Sequence, residues 1–458
     1  MTRNSIDTPV KTPVHAEPRH LPVIVVGGGQ AGLSVSYYLK QAGIEHLVLE
    51  KHTLTHTWRT QRWDAFCLVT PNWQCALPGH PYRGDDPHGF MRKDEIIAYL
   101  DGFIQSVAAP VLEHTAVLSV RPRPQGGYLV TTSRGVFSAD QVVVASGGYH
   151  TPIVPRMAER LPASIRQIQS ADYRNPQDLP DGAVLVVGSG QSGAQIAEDL
   201  HLAGRKVVLA VGEAPRCARF YRGRDVVDWL ADMKYYDLPV TEHPLREGVR
   251  DNTNHYVTGR DGGRDIDLRK FATEGMQLYG VLEDYRDGQL HFAPNLRQSL
   301  DDADATYNRI NASIDKFIAE RGIEAPPASI YTPVWTPESE RTTLDPRAAG
   351  ISTIIWSIGF RPDFSWLEVP VFNGRGYPGH ERGVTAHAGL YFLGLPWLHT
   401  LGVGALLWHR ARCRVPGRAD RRIRARRRTG SVTWRPSART ISLVCRNWPT
   451  PACRKTGC

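Results

Sequence analysis

The sequence predicts an α/β protein built on two Rossmann-like parallel sheets. Two glycine fingerprints of the same form support this prediction, GGGQAG at residues 27–32 and GSGQSG at residues 188–193. Each fingerprint follows an apolar run of strand length and opens a segment with the apolar spacing of a helix. This strand–loop–helix order is typical of dinucleotide-binding domains, and two copies predict two dinucleotides in one chain.

The first fingerprint has a complete structural context. Leu21–Val26 is an unbroken apolar run, which predicts a central parallel strand covered on both faces. Gly27, Gly29 and Gly32 allow a tight turn and a close approach of the backbone to a pyrophosphate. The helix Gln30–Gln41 then points its N-terminus, with Gln30 as first residue, at that negative charge.

A carboxylate follows at the position where a ribose is bound. The second strand is predicted over His46–Glu50, and Glu50 falls 18 residues after the last fingerprint glycine. An acid at this place accepts hydrogen bonds from ribose hydroxyls. Because strand, loop, helix, strand and acid occur in this order, we expect a nucleotide site here rather than a glycine-rich turn without a ligand.

The second fingerprint lacks such an acid. Ala183–Val187 predicts a strand, Gln191–Leu202 a helix and Lys206–Val211 the next strand, which ends without Asp or Glu. A missing acid with Arg216 nearby favours a 2′-phosphate, and therefore NADPH over NADH. The alternatives are that Glu213 serves a ribose and that Arg216 is a surface residue. The other predicted cofactor contacts are Gly188, Gly190, Gln191 and Gly193.

Three further segments carry a family resemblance. Asp140–Gly148 and Thr353–Asp363 are apolar strands ending in small residues, similar to the crossovers of two-dinucleotide flavoproteins, and Gly389–Gly394 resembles a late flavin-domain strand. Over residues 21–400 the chain resembles the flavin-containing monooxygenases with their Baeyer–Villiger and auxin-pathway relatives, and a bacterial group of flavin-dependent oxidoreductases. The resemblance implies an NADPH domain inserted into a split FAD domain.

The resemblance also implies a reaction and site residues. NADPH reduces FAD, O2 adds to the flavin, and the flavin hydroperoxide oxygenates a substrate. Asn72 matches an Asn beside the flavin and is the implied catalytic residue, and Trp58 and Arg59 match a flavin-contacting pair. As alternatives, Asn72 is a turn residue and the pair anchors a loop. The family's Phe-x-Gly-x-x-x-His signature is absent from the corresponding stretch 163–169.

The C-terminal tail differs sharply in composition from the rest of the chain. From Arg410 onward there are fourteen arginines and one lysine against a single acid, Asp420, whereas the chain as a whole is only +9. An allowed set of codons from Leu401, read one base later, encodes a helix-like segment similar to the family's ending. We therefore expect the tail to be out of frame and disordered. The alternative is a basic arm that associates with nucleic acid.

Composition restricts the remaining possibilities. The seven cysteines form no framework and no CxxC pair, which favours a cytoplasmic location and disfavours a dithiol reductase. No apolar run has the length of a membrane span, and no metal-ligand pattern is present. We expect small-molecule and O2 partners, no membrane partner and no nucleic-acid partner, and a homodimer is compatible with the sequence.

The sequence therefore predicts a domain order and a function. The function is NAD(P)H-dependent flavoprotein monooxygenation of a small organic substrate at N, S or a ketone carbon. The alternative is an FAD-dependent dehydrogenase or oxidase without oxygen insertion. The segments are a disordered lead-in (1–20), the first part of the FAD domain (21–150), the NADPH domain (151–350) with a polar lid-like insertion (250–280), the closing part of the FAD domain (351–409) and the tail (410–458).

Overall fold

The computed structural model describes residues 17–401, which form two large sheets with helices packed against them and four small antiparallel sheets. The strands are β1 (Arg19–Val26), β2 (His46–Leu49), β3 (Ala76–Leu77), β4 (His80–Pro81), β5 (Val111–Leu112), β6 (Val117–Pro122), β7 (Tyr128–Thr132), β8 (Gly135–Val144), β9 (Thr151–Pro152), β10 (Arg166–Gln169), β11 (Ala183–Val187), β12 (Val207–Ala210), β13 (Phe220–Tyr221), β14 (Arg224–Asp225), β15 (Gln277–Tyr279), β16 (Leu282–Arg286), β17 (Gln289–Phe292), β18 (Thr343–Leu344), β19 (Ile351–Trp356), β20 (Phe360–Arg361), β21 (His380–Glu381), β22 (Val384–Thr385) and β23 (Leu390–Phe392). The helices are α1 (Gln30–Gln41), α2 (His56–Thr60), α3 (Lys93–Val107), α4 (Gln191–Leu202), α5 (Val226–Asp232), α6 (Leu268–Thr273) and α7 (Leu296–Arg321).

The first sheet has the order β21-β22-β23-β8-β1-β2-β5. Strands β23, β8, β1, β2 and β5 run parallel, and β7 and β6 continue from β8 as an antiparallel extension. The side chains of β1 and β8 alternate between two buried apolar clusters, one on each face of the sheet. Burial on both faces explains why these strands read as continuous apolar runs.

The second sheet is entirely parallel and has the order β10-β19-β11-β12-β15. Its strands lie between β8 and β21 in the chain, so the second sheet is formed by an insertion into the first. The predicted α/β class with two Rossmann-like units is confirmed. The antiparallel pair β9 and β20 joins the outgoing and returning crossovers.

Two sequence-based boundaries need correction. Ile351–Trp356, assigned by sequence to the closing FAD segment, pairs with β10 and β11 and so belongs to the second sheet. Arg19 and His20, which were expected in the lead-in 1–20, pair with Phe137 and Ser138 of β8 and extend β1. The first sixteen residues and those after 401, with the predicted tail, lie outside the described residues.

Within residues 17–401, no helix is both long enough and apolar enough to span a membrane, and no group of three or more His, Cys, Asp or Glu side chains is arranged to hold a metal ion.

Candidate functional site

The first fingerprint forms a cradle that only glycine can build. Gly27 has φ +107°, and a Cβ on it would lie 2.6 Å from the carbonyl oxygen of Ala145 at the end of β8. A Cβ on Gly32 would lie 1.9 Å from the Gly27 carbonyl oxygen. Gly29 is the N-cap of α1 and provides no side-chain cap. The first backbone N–H groups of α1 therefore remain available for an anion.

Glu50 lies against this cradle. Its Oε2 accepts a hydrogen bond from the Gly28 amide at 2.8 Å, and its Oε1 accepts one from the His52 amide at 2.9 Å. These two bonds fix the carboxylate at the end of β2, directly beside the fingerprint. The sequence prediction of an acid next to the phosphate loop is thus matched by the geometry. Gln30 is the half-buried first residue of α1.

The second fingerprint repeats the cradle with the same geometry. Gly188 has φ +101°, and its Cβ would lie 2.7 Å from the Ser357 carbonyl oxygen, whereas a Cβ on Gly193 would lie 1.9 Å from the Gly188 carbonyl oxygen. Gly190 is the N-cap of α4 and again provides no side-chain cap. Gln191, the first residue of α4, donates from Nε2 to the Val257 carbonyl at 2.6 Å and so braces the loop rather than facing free space.

The end of β12 differs from the end of β2. Val211 is buried where the first sheet has Glu50, and its amide donates to the Tyr279 carbonyl. The Ser189 hydroxyl accepts a hydrogen bond from the Gly212 amide at 3.0 Å and ties the two loops together. No carboxylate occupies the position of Glu50 here, and the nearest acid in sequence is the exposed Glu213, two residues after Val211.

Arg216 is placed differently from the prediction. The residue is 2% exposed, with Nη1 3.3 Å from Asp267 and Nε 3.3 Å from Asp304. Its guanidinium lies 4.0 Å from the ring centre of Tyr331 and 4.6 Å from that of Tyr307. Burial opposes the charge, but the adjacent carboxylates hold its pKa above the ordinary value. This guanidinium is buried and paired with carboxylates within the fold, and the 2′-phosphate role expected from the sequence stays a prediction.

Asn72 also has a role within the fold. It is 4% exposed and begins a short 3₁₀ turn, Asn72–Gln74. Its Nδ2 donates to the Asp86 carbonyl at 2.9 Å, and its Oδ1 accepts from the Met91 amide at 2.9 Å. Both ends of the amide therefore hold the surrounding loop together, as in the alternative reading of a turn residue. The catalytic role implied by the resemblance stays a prediction.

Trp58 and Arg59 lie on α2 but point in different directions. Arg59 is exposed at its guanidinium, which pairs with Asp101 at 2.5 Å. The guanidinium that lies over the Trp58 ring, 5.0 Å from its centre, belongs to Arg62 instead. Sequence reasoning missed this residue, although its position between Trp58 and Trp63 was a signal that could have identified it.

The segment 250–280 is packed rather than free. Arg260 pairs with Asp199 at 2.6 Å, and Arg264 lies 3.3 Å from the buried Glu198, so both arginines attach the segment to α4. A Cβ on Gly259 would lie 2.0 Å from the Leu68 carbonyl oxygen, which shows contact with the first unit. Paired charges and buried apolar residues thus attach this segment to both units, and the lid role expected from the sequence stays a prediction.

The two cradles fit dinucleotides on observations of the structure itself. At the tightest glycines of each loop a side chain would collide with backbone, and each helix N-terminus is uncapped by side chains. The Glu50 carboxylate suits a ribose diol in the first cradle, and the acid-free end of β12 accommodates a phosphorylated ribose in the second.

Comparisons with known proteins agree with this geometry. Residues 24–251 match the family described as pyridine nucleotide-disulphide oxidoreductase. An uncharacterized CzcO-like oxidoreductase from Geobacillus kaustophilus is 31% identical over 386 residues, covering 83% of this chain and 92% of the relative. The rice indole-3-pyruvate monooxygenase YUCCA1 is 29% identical over 191 residues, covering 41% of this chain and 47% of that protein.

Solved structures show the same fold. A flavin-containing monooxygenase from Stenotrophomonas maltophilia superposes with a TM-score of 0.55 at 18% identity, covering 84% of this chain and 95% of the other. This likeness shows the shared fold, and the curated relatives confirm the resemblance inferred from the fingerprints. The chain belongs to the flavin-containing monooxygenase-like family of flavoprotein oxidoreductases, with CzcO-like oxidoreductases among its relatives.

Proposed function

We propose that this enzyme is an FAD- and NADPH-dependent monooxygenase that oxygenates a small organic substrate at N, S or a ketone carbon. FAD occupies the first cradle and NADPH the second. The single observation that carries the proposal is the presence of two intact cradles in one chain, one with an acid at its second strand and one without. FAD supplies the redox chemistry with O2 when bound, and the protein supplies binding and orientation.

The residues of each cradle have distinct tasks. The backbone N–H groups at the start of α1 and α4 hold the pyrophosphates, since helix N-termini attract anions. Glu50, fixed by the Gly28 and His52 amides, accepts hydrogen bonds from the FAD ribose. Val211 leaves room and no negative charge at the corresponding place, which supports a preference for NADPH over NADH.

The domain limits form part of the proposal. The FAD unit consists of residues 21–150 and the segment after β20, and the NADPH unit extends from 151 through β19. The crossovers at β9 and β20 then connect the two units twice, which restricts how they can move relative to each other.

Anaerobic reduction followed by mixing with O2 tests the proposal. We expect NADPH to bleach the bound flavin faster than NADH at equal concentration. On mixing with O2 in the presence of a tertiary amine, a thioether or cyclohexanone, we expect an oxygenated product with an ¹⁸O label from ¹⁸O2. Failure of both nicotinamide cofactors to reduce the flavin would contradict the proposal as a whole.

The second candidate function is a flavin oxidase or dehydrogenase without oxygen insertion. The observation that favours it is the missing Phe-x-Gly-x-x-x-His signature, since the corresponding residues 163–169 end instead in the polar strand β10. In that case the same experiment gives immediate return of the oxidised flavin spectrum, one equivalent of H2O2 and no label in any of the three probe products.

A further inference from the structure

A cleft of about 610 Å³ lies between the two units, lined by residues other than those of the two fingerprints. Trp73 and His88 line it from the first unit, and residues of β13, β14 and α5 line it from the second. Its volume falls within the range of small-molecule sites in proteins. Because each unit supplies one wall, a ligand in this cleft would contact both.

Hydrogen bonds across the cleft hold the two walls in place. Trp73 donates from Nε1 to Oδ1 of Asp228 on α5 at 2.8 Å, and Nδ1 of His88 lies 3.3 Å from Oδ2 of the same carboxylate. Beside them, Nη1 of the buried Arg219 donates to the Val69 carbonyl of the first unit at 2.8 Å. The shape of the cleft is therefore set before any ligand binds.

Asp225 in the wall of the cleft has one carboxylate oxygen without a partner. The residue is 3% exposed, and its Oδ1 accepts from Nη2 of Arg219 at 2.5 Å and from the Val227 amide at 2.8 Å. Its Oδ2 is buried and accepts no hydrogen bond from any of residues 17–401. Burial raises the pKa of Asp225, although Arg219 acts to lower it. A buried acceptor without a donor is costly, so this oxygen favours a ligand that supplies one.

The charges around the cleft favour a cation. Arg219 offsets Asp225, and Arg224 offsets Asp232 at 2.9 Å. Asp228 is bound by the neutral indole of Trp73 and by His88, so with His88 neutral these groups carry one excess negative charge.

The cleft also offers apolar surface. Phe220 on β13 lines it and is 49% exposed, which is high for an aromatic side chain of this size. Trp73 adds a second aromatic side chain from the first unit. Aromatic rings attract both the apolar body of a ligand and a cationic group.

We infer that this cleft binds a small organic amine in its protonated form. An N–H of the ammonium group donates to Oδ2 of Asp225, the positive charge lies near Asp228, and the apolar body packs against Phe220 and Trp73. The inference goes beyond the proposed function, because binding requires neither cradle, no nicotinamide and no reduction of the flavin.

Isothermal titration of the full-length holoprotein with 2-phenylethylammonium tests the assignment. We expect one saturable site. The trimethylated quaternary analogue, which has no N–H, and neutral 2-phenylethanol, which has no charge, should each bind roughly tenfold more weakly or worse, because a hydrogen bond to a charged group is lost or weakened. The three probes share one aromatic body, so differences among them report the recognition of the ammonium group.

Two variants locate the site. Asp225→Asn keeps the shape, removes the charge and should weaken amine binding roughly tenfold. Phe220→Ala changes a half-exposed side chain and should weaken it severalfold through lost apolar contact. Asp315→Asn is the matched control, since Asp315 also pairs with an arginine, Arg222, but does not line the cleft.

Each contrary outcome overturns a defined part of the inference. Absence of saturable amine binding to the parent overturns it entirely. Equal affinities for the three probes overturn the ligand class, and unchanged amine binding in both cleft variants overturns the location. If Asp225→Asn does not fold, Phe220→Ala and the three-probe comparison decide. A parent that binds the amine but whose flavin is not reduced by either nicotinamide contradicts the proposed function and leaves this inference standing.

Discussion

The two fingerprint loops share one backbone design but differ in the residue that follows it. Gly27 and Gly188 have φ values of +107° and +101°, and Gly32 and Gly193 would each place a Cβ 1.9 Å from a carbonyl oxygen. At the end of the second strand, however, Glu50 accepts from the first loop, whereas the second loop has no acid. The comparison indicates that close contact between the glycines and the backbone fixes the shape of each phosphate cradle. The side chain at the end of the second strand then favours either an unmodified ribose or one with a 2′-phosphate.

The hydrogen bonds that connect each loop to its second strand also run in opposite directions. In the first unit, the loop amide of Gly28 donates to the Glu50 carboxylate of the strand end. In the second unit, the amide of Gly212 at the strand end donates to the Ser189 hydroxyl of the loop. The second tie needs no charged group. This hydrogen bond between neutral groups keeps the loop in place and adds no negative charge that would oppose a phosphate.

The largest expected effect is that of replacing Arg216. If Arg216 bound the nicotinamide cofactor, the second cradle would have a charged residue of its own, and the contrast between the two loops would not hold. We expect Arg216→Gln to lower the free energy of unfolding by about 3–5 kcal/mol, because it leaves Asp267 without a cation and Asp304 with Arg269 alone. The ratio of NADPH to NADH affinity should not change. Urea unfolding and nicotinamide titration measure the two quantities.

Arg224→Gln is the matched control for that variant. Arg224 also stacks on a ring, that of Trp229 at 4.2 Å, and pairs with Asp232, but its side chain is 39% exposed. We expect a loss below about 1 kcal/mol. A selective loss of NADPH affinity in Arg216→Gln, with stability retained, would contradict this prediction and show that Arg216 binds the cofactor.

The contrast between these arginines explains what the sequence could and could not predict. Both cradles, the bounds of α1 and α4 and the acid at Glu50 follow from local patterns, because glycine sterics and apolar periodicity act over a few residues. The partners of Arg216 are Asp304 on α7 and Asp267 just before α6, some 90 and 50 residues away, and no local signal specifies them. Arg59 is likewise held by a long-range pair, since its partner Asp101 lies 42 residues away on α3.

The next largest effect compares one glycine substitution in each cradle, with each variant tested for both cofactors. We expect Gly32→Ala to weaken FAD binding by about 1–3 kcal/mol, and Gly193→Ala to weaken NADPH binding by a similar amount, because each Cβ forces its loop open. Equilibrium titration of each apoprotein with each cofactor measures this. Gly374→Ala is the control, since a Cβ there meets open space. Loss of both cofactors in either variant would contradict two separate sites.

A smaller effect is expected at the acid that distinguishes the loops. Glu50→Gln retains the shape and loses the charge, so the hydrogen bonds from the ribose become weaker. We expect FAD affinity to fall by about 1.5 kcal/mol, roughly tenfold, with NADPH affinity unchanged. Glu45→Gln, on the exposed residue just before β2, is the control. Unaltered FAD affinity in Glu50→Gln would remove the electrostatic distinction between the cradles.

The smallest effect is the acid sensitivity of the two units, since each contains a histidine whose pKa is strongly lowered by burial. Burial lowers the pKa of His255, beside the second cradle, and of His380, on β21 of the first sheet, to about 4. The unfolded chain takes up these protons near pH 6.5, so stability is complete above that pH and declines progressively toward pH 4.

Hydrogen exchange at pH 7 and pH 5 separates the two contributions. In His255→Gln we expect peptides from β11 and β12 to lose less protection on acidification than in the parent, with β1 and β8 unchanged. In His380→Gln we expect the reverse pattern. Since each variant serves as the control for the other, identical acid responses in both would show that the two units unfold together, and that the cradles differ in chemistry but not in independent stability.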